Sequence, residues 1–310
     1  MAEKKQYDVV IIGGGPAGAA AGLYAARSRL SALLIERGLP GGQIAVTEQV
    51  ENYPGFESIL GPELGEKFLR HAEKFGLETD TTDVESVELD KPWKKTVTGH
   101  GDILSKVLII ASGAEHRKLN VPGEETFSGR GVSYCAVCDG AFFRDKELIV
   151  VGGGDAAVEE GAFLTRFASK VTIVHRRNEL RAKKILQERA FANKKMDFLW
   201  DHAVEKIDGN GSVNSVVLRD LKKQATYKKP VDGVFVYIGL NPNSEFLRGA
   251  LPVDDSGHIH VNLKMETRIP GVFAAGDIRV DSSRQVASAV GDGATAAIFA
   301  EKYIVEKFHE

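Results

Sequence analysis

One supersecondary plan occurs twice in this chain, and that repetition limits the fold more than any other feature of the sequence. Residues 7–36 run from an apolar stretch (YDVVII) through a Gly-rich turn (GGGPAG) and a small-residue segment into a second apolar stretch ending at Glu36. Residues 147–177 (ELIVVGGGDAAVEEGAFLTRFASKVTIVHRR) repeat that order. Each reads as strand, turn, helix and strand, a βαβ unit. The separation from Gly13 to Glu36 equals that from Gly152 to His175. Two nucleotide-binding cores in one chain are therefore expected.

In such a turn the first glycine permits a tight bend and the second lets the main chain approach a pyrophosphate. The third lets the helix pack close to the strand, so that the helix N-terminus faces the phosphates. Gly13, Gly15 and Gly18 hold these positions in the first unit, and Gly152, Gly154 and Ala157 hold them in the second. A single Gly-rich turn also arises from packing alone, but two turns framed by strands point to ligands. The strand ends separate those ligands. Glu36 stands where an acid accepts hydrogen bonds from a ribose 2'-hydroxyl, which suits FAD. The matching place in the second unit has His175, Arg176 and Arg177, followed by Arg181, whose guanidinium forks suit the 2'-phosphate of NADPH. A solvated basic loop is the other reading, since basic residues continue to Lys184.

Further strands are predicted at roughly 80–89, 94–110, 197–208, 213–219, 226–238 and 258–262, with an apolar helix over 61–75. VFAAGDI at 272–278 reads as another buried strand ending in Gly-Asp, followed by a small-residue helix over roughly 284–305. No third fingerprint accompanies these elements, so they complete the first domain and the second unit is an insertion. The expected fold is α/β, with two Rossmann-like nucleotide-binding domains, each a three-layer ββα stack. The divisions are 1–116, 117–243 and 244–310, with crossings near 114–119 and 239–245.

The 310 residues include 40 Lys and Arg against 43 Asp and Glu, interspersed, for a formal net charge of -3. Such a balance gives no field toward nucleic acid or anionic lipid. No apolar run approaches the roughly 20 residues of a spanning helix. Residues 1–7 are charged and lead straight into a strand, leaving no room for a signal-peptide core, so a cytoplasmic protein is expected. Cysteine usage agrees, because only Cys135 and Cys138 are present, as C-x-x-C. In a reducing compartment such a pair is catalytic or metal-binding sooner than a structural staple. Two cysteines at this spacing come within bridging distance on a helical turn, and a helix N-terminus lowers a thiol pKa. Zinc needs two further ligands that no second C-x-x-C or paired His supplies, so no metal is expected, and inert buried thiols are the remaining alternative. Asp139 follows the pair directly and no histidine adjoins it. It is either a partly buried acid that protonates the leaving thiolate or a helix N-cap.

The order and spacing of GGGPAG at 13–18, GGQ at 41–43, ENYPG at 51–55, CAVCDG at 135–140, HRRNELR at 175–181, FAAGD at 273–277 and RQV at 284–286 span the whole chain. Together they resemble the low-molecular-weight, bacterial-type thioredoxin reductases of the class-II pyridine nucleotide-disulfide oxidoreductases. The resemblance implies FAD bound by the first and last segments, NADPH bound by the middle one, a homodimer, and thioredoxin or a thioredoxin-like protein as partner. It places Gly13, Gly15, Gly18 and Glu36 on the adenosine side of FAD, Gln43 and Asn52 near the flavin, and Asp277, Arg284, Gln285 and Val286 along the ribityl and isoalloxazine. Pro16, Ala17, Arg37, Gly42, Ala111, Gly113 and Gly276 join them as cofactor-binding residues. Asp277 also reads as a cap for the turn after its strand, and Gln43 and Asn52 as turn formers. NADPH takes Gly152, Gly154, Asp155, Ala156, Ala157, His175, Arg176, Arg177 and Arg181. Two departures stand out. Ala111, Ser112 and Gly113 replace the common Ala-Thr-Gly, keeping the hydroxyl, and C-A-V-C replaces C-A-T-C.

What this implies is electron flow from NADPH through FAD to Cys135 and Cys138, then thiol-disulfide exchange with the protein substrate. The pair lies between the first crossing and Gly152, so the dithiol and the NADPH site ride on one module. That module is expected to rotate about the crossings between two poses. The resemblance suggests that Cys138 faces the flavin; the sequence leaves open which sulfur attacks the substrate. Rival readings are a related flavin reductase serving another thioredoxin-like or peroxiredoxin-system partner, one drawing electrons from ferredoxin, and a sensor that does not turn over.

Overall fold

The computed structural model describes residues 5–47 and 49–308. Residues 1–4, part of the charged start in the sequence reading, lie outside the described residues. The chain divides into two compact units, one running to Glu115 and resuming at Asn241, the other spanning His116–Leu240.

In the first unit, strands Lys5–Ile12, Ala32–Glu36, Glu78–Thr81 and Gly101–Ile110 form a parallel sheet, with Lys5–Ile12 between Ala32–Glu36 and Gly101–Ile110. Strand Gly101–Ile110 is shared. Its first half pairs antiparallel with Lys94–Thr98, which continues to Val84–Glu88, and its last residues pair parallel with Val272–Ala274. Side chains alternate across a strand. Val9 and Ile11 therefore meet helices Pro16–Arg27 and Val286–Phe308 through a layer of Ala17, Ala21, Ala25, Ala296 and Ala300. Val10 and Ile12 face the opposite layer with Val87, Leu247 and Leu251. The alanines favour helix and have small cross-section. They let the two helices touch backbone to backbone, since a Cβ on Gly293 would lie 2.0 Å from the Ala17 carbonyl.

The second unit repeats the plan with a five-stranded parallel sheet ordered Val132–Ser133, Gly233–Tyr237, Glu147–Gly152, Lys170–His175, Met196–Trp200. Helix Asp155–Leu164 packs on one face over Val150, Ile173 and Phe235. The antiparallel sheet His202–Asn210, Ser212–Asp220, Ala225–Pro230 covers the other face, over Ile149, Val174 and Val236. Both units are three-layered α/β folds. Each fully buried aliphatic side chain contributes ~1.5–3 kcal/mol, against ~0–1 for an exposed ion pair such as Lys67–Glu63, so the apolar layers hold the fold.

Several predicted strands divide. The 94–110 stretch is a hairpin, turned where Gly101 takes φ +116° and the Thr98 hydroxyl accepts from His100 N–H and donates to the Gly101 carbonyl. Asp201, left-handed at φ 56°, separates Met196–Trp200 from His202–Asn210. The 226–238 stretch breaks after Pro230, whose two sides join different sheets. The 80–89 stretch breaks at Thr82 and Asp83, and Glu78–Thr81 and Val84–Glu88 take opposite edges of one sheet. The predicted strand at 258–262 is corrected: only Ile259 bridges, to Val253 and Arg279, because alternating Asp, Gly and Asn turns around it leave no run to pair. The helices run Gly61–Glu73 and Val286–Phe308. Among the described residues no helix is long and apolar enough to cross a membrane.

Candidate active site

In the first unit the turn after Lys5–Ile12 is shaped by backbone crowding. Gly13 has φ +107°, and a Cβ there would lie 2.3 Å from the Ala111 carbonyl; one on Gly18 would lie 1.8 Å from the Gly13 carbonyl. Both glycines are therefore demanded by the protein itself. Gly15 differs: its backbone is extended, and the nearest atom to an added Cβ is 3.9 Å away. Packing gives no reason for a glycine at Gly15, whereas close approach of a phosphate does. Pro16 and Ala17 open the helix there, with Pro in the first turn and its N-terminal N–H groups unsatisfied by any side-chain cap. Glu36 sits against this turn, accepting from Gly14 N–H at 2.6 Å and from Gly38 N–H at 2.9 Å. Each carboxylate oxygen retains a lone pair for a ribose hydroxyl. These groups fit a dinucleotide. Arg37 leans away to an exposed ion pair with Glu115.

The same unit gathers most of the remaining residues in pairs. Gly42 and Gln43 begin the short helix Gly42–Val46, and the Gly41 N–H donates to Gly14 O, tying that loop to the Gly-rich turn. Asn52 donates to the Gln285 side chain at 3.1 Å, across 233 residues of sequence. Asp277 accepts from the Ser282 hydroxyl at 2.8 Å, and the same hydroxyl accepts from the Arg284 N–H, so Ser282 links the two predicted residues. Burial pushes the Asp277 carboxyl up, opposed by Ser282 and Arg284. Val286 starts the long helix. Gly276, at φ +78°, donates its N–H to Asp292, which also holds Arg279 by two bonds. Ala111 and Gly113 lie just beyond strand Gly101–Ile110, and there the Ser112 hydroxyl donates to the Asn243 carbonyl.

The second unit carries the other turn. Gly152 is crowded by the Tyr237 carbonyl, 2.4 Å from an added Cβ, whereas nothing lies within 4 Å of one on Gly154. Ala157 takes the place of the third glycine and its methyl packs against Gly152. Asp155 accepts from the Lys183 N–H at 2.8 Å and Ala156 follows it in the first helical turn. His175 is a surprise. Its ring is buried against Gly153, where a Cβ would fall within 2.3–2.6 Å of three ring atoms, and its Nε2 has no hydrogen-bond partner among the described residues. Burial first, then Arg181, Arg177 and Arg176, push its pKa down, so the imidazole is neutral at neutral pH. The cations lie above it. Arg176, Arg177 and Arg181 are exposed, and the Arg181 N–H donates to Gly153 O at 2.7 Å, folding the basic loop onto the Gly-rich turn.

The cysteines are joined as a disulfide, with Cα atoms 5.3 Å apart. Cys135 caps the four-residue helix Ala136–Asp139, its sulfur accepting from Cys138 N–H at 3.1 Å. Asp139 ends that helix and stands at the N-cap position of the short helix Gly140–Phe143, where its side chain makes no capping hydrogen bond. Burial raises its carboxyl pKa, and a hydrogen bond from Ser133 opposes the rise. Tyr237, absent from the sequence reading, accepts from the Ala136 N–H at 2.6 Å. Ser282, Ser133 and the Arg279–Asp292 pair were also missed. No local signal marks any of them, although Tyr237 does fall at the carboxyl end of a central strand, where α/β sheets build sites.

A family model described as pyridine nucleotide-disulphide oxidoreductase matches residues 7–293. The chain is 55% identical over 307 residues to the thioredoxin reductase of Bacillus subtilis (strain 168), covering 99% of this chain and 97% of that one. It is 47% identical over 311 residues to that of Peptoclostridium acidaminophilum, covering 98% and 99%. Among solved structures, the thioredoxin reductase of Streptococcus pyogenes MGAS5005 superposes with a TM-score of 0.94 at 49% identity, covering 98% of this chain and 100% of that one.

Proposed function

The chain belongs to the pyridine nucleotide-disulphide oxidoreductase family and has thioredoxin-disulfide reductase function, and on that premise we propose that its flavin is FAD and its nicotinamide donor NADPH. The observation that carries the nicotinamide half is the trio Arg176, Arg177 and Arg181 at the ribose end of the second Gly-rich turn, with the neutral His175 beneath. Glu36 beside the open Gly15 supports the flavin half. On this reading the unit built from both chain ends holds FAD, through Gly13, Gly15, Gly18, Glu36, Gln43, Asn52, Asp277, Arg284 and Gln285 and their neighbours. His116–Leu240 holds NADPH, through Gly152, Gly154, Asp155, Ala157 and the arginines. A flavin held by those residues would supply the hydride-accepting and two-electron chemistry that joins the nicotinamide to the disulfide.

The remaining chemistry belongs to side chains. Reducing the Cys135–Cys138 bond takes two electrons and two protons. One resulting thiolate attacks the thioredoxin disulfide, the mixed disulfide forms, and the second thiol resolves it, releasing reduced thioredoxin and closing the pair again. The dithiol and the arginines lie in one unit, which supports alternation of that unit between two poses about its two connections. A homodimer is supported by the exposed apolar side chains Leu39, Val46 and Leu60, and a cytoplasmic site by the dependence of such cycling on a reduced nicotinamide pool.

An anaerobic titration tests the whole reading. NADPH bleaches the yellow protein at about two equivalents, one for the disulfide and one for the flavin, NADH bleaches it poorly, and oxidised thioredoxin restores the colour; a protein that stays bleached refutes it. Light scattering on the same sample reports twice the chain mass if the dimer holds.

Asp139 is the proposed proton donor to the leaving thiolate. Its carboxyl stays protonated above the usual 3.8, so a turnover limited by its proton is full below the raised pKa and falls as pH rises through it. Asp139→Asn should slow thioredoxin reduction by about 10²-fold and abolish that falling limb. An unchanged limb in the pH profile of the variant would assign it to another group. The same shift makes the folded state less stable as pH rises from the ordinary value toward the raised one, a penalty that asparagine removes.

A further inference from the structure

Under the turn that carries Asp277, the first unit buries an ion pair that ties distant segments together. Asp292, 8% exposed, lies within the long helix Val286–Phe308, and Arg279, its side chain 16% exposed, follows the turn Gly276–Ile278. The Asp292 carboxylate accepts from Arg279 Nε at 2.6 Å and Nη2 at 3.1 Å, a fork that fixes its plane. The same carboxylate accepts from Gly276 N–H at 3.1 Å. Arg279 closes the ring from the other side, its N–H donating to Gly276 O at 3.2 Å and its Nη1 to Val280 O at 3.1 Å. Gly276, at φ +78°, is thus held through both its N–H and its carbonyl. The pair also sits where three segments converge. A Cβ on Gly276 would lie 2.9 Å from the Ala17 methyl, and one on Gly293, next to Asp292, would lie 2.0 Å from the Ala17 carbonyl. Ala17 belongs to the first turn of the helix that opens at the Gly-rich loop.

We propose that Asp292, oriented by Arg279, is a positioning residue for FAD: by holding Gly276 it presets the turn that presents Asp277 to the ribityl and flavin half of the cofactor, and it leaves the adenosine half to the Gly-rich turn and Glu36. A turn ordered in advance costs its ligand less to bind. The pair acts through shape rather than charge. Burial, the largest influence, raises the Asp277 carboxyl pKa and Ser282 and Arg284 oppose it, while the smaller influences of Asp292 and Arg279 have opposite signs. Replacing both residues therefore leaves the charge on Asp277 nearly unchanged. The inference rests on the FAD reading above and adds to it a residue pair that does not itself touch the cofactor.

The test combines Arg279→Met with Asp292→Leu in the full chain freed of flavin. Exchanging a buried ion pair for apolar groups of similar volume is often neutral or stabilising, so the fold is kept while the hold on Gly276 is lost. FAD binding is followed by the change in flavin fluorescence, and ADP is titrated as a competitor of FAD, which reports the adenosine end of the same site. The expected result is FAD weakened by about tenfold, ADP changed by less than about threefold, and a flavin-free chain that melts no lower than the parent. A purely structural role would weaken both ligands together and lower the melting temperature; that outcome, or an FAD affinity equal to the parent's, overturns the proposal. If the double variant fails to fold, Arg279→Gln with Asp292→Asn keeps polar contacts and drops the charge-assisted fork, and a preferential loss of FAD of about threefold is required of it. A parent chain that binds no FAD refutes the flavin reading and this proposal with it, whereas a parent and a variant that bind FAD equally well refute the proposal alone.

Discussion

Serine in place of either Cys135 or Cys138 is expected to cut thioredoxin-dependent turnover by more than ~10³-fold while reduction of the flavin by the nicotinamide continues. The reason is electron counting. A single thiol can open the thioredoxin disulfide but has no partner to expel the product, so the reaction stops at a mixed disulfide. The two variants differ in what they trap. In the structure Cys135 caps the helix and its sulfur accepts the Cys138 N–H, a donor that would stabilise a thiolate on Cys135. Cys138→Ser should therefore accumulate a covalent complex with thioredoxin, and Cys135→Ser should accumulate much less. Non-reducing gels and a stopped-flow record of flavin colour read the two halves separately. Turnover surviving in either variant would remove the pair from the reaction.

Much of this was legible because glycine positions and strand periodicity are local. The repeated βαβ plan is written in consecutive residues, and backbone crowding at Gly13, Gly18 and Gly152 answers to the spacing read from them. Glu36, the cysteines and the basic loop are likewise read from short motifs. What stayed hidden depends on contacts across long separations. Tyr237 reaches Ala136 from a strand that reads as VFVYIG, with nothing to distinguish its hydroxyl from an ordinary buried ring. Arg279 and Asp292 pair across a turn and a helix, and neither belongs to a recognisable motif. Turn chemistry accounts for the divided strands: the Thr98 hydroxyl and the left-handed Asp201 interrupt stretches whose composition alone favours continuation. His175 is a case between the two. Its position at the strand end is local, but its burial against Gly153 is a property of packing.

That distinction sets the second large effect, the replacement of Arg176 and Arg177 together by alanine. With the imidazole of His175 kept neutral by burial and by the guanidinium groups themselves, a 2'-phosphate would find its positive charge only on the arginines. A charge-assisted hydrogen bond contributes ~1.5–3 kcal/mol, and exposure of these side chains favours the lower value, so losing two should weaken NADPH by about 10²-fold. NADH lacks the phosphate and should change by less than about threefold, because the Gly152 to Ala157 turn proposed for the pyrophosphate is untouched. Arg181 is the better-anchored third cation, its N–H fixed to Gly153 O, and its loss should cost NADPH a similar amount while also loosening the loop. Salt supplies an independent check. At 0.15 M ionic strength charges are screened over about 8 Å, so the NADPH preference of the parent should shrink as salt rises and that of the double variant should not. Equal losses for both nicotinamides would mean that the basic loop faces solvent and that the donor's identity is set elsewhere.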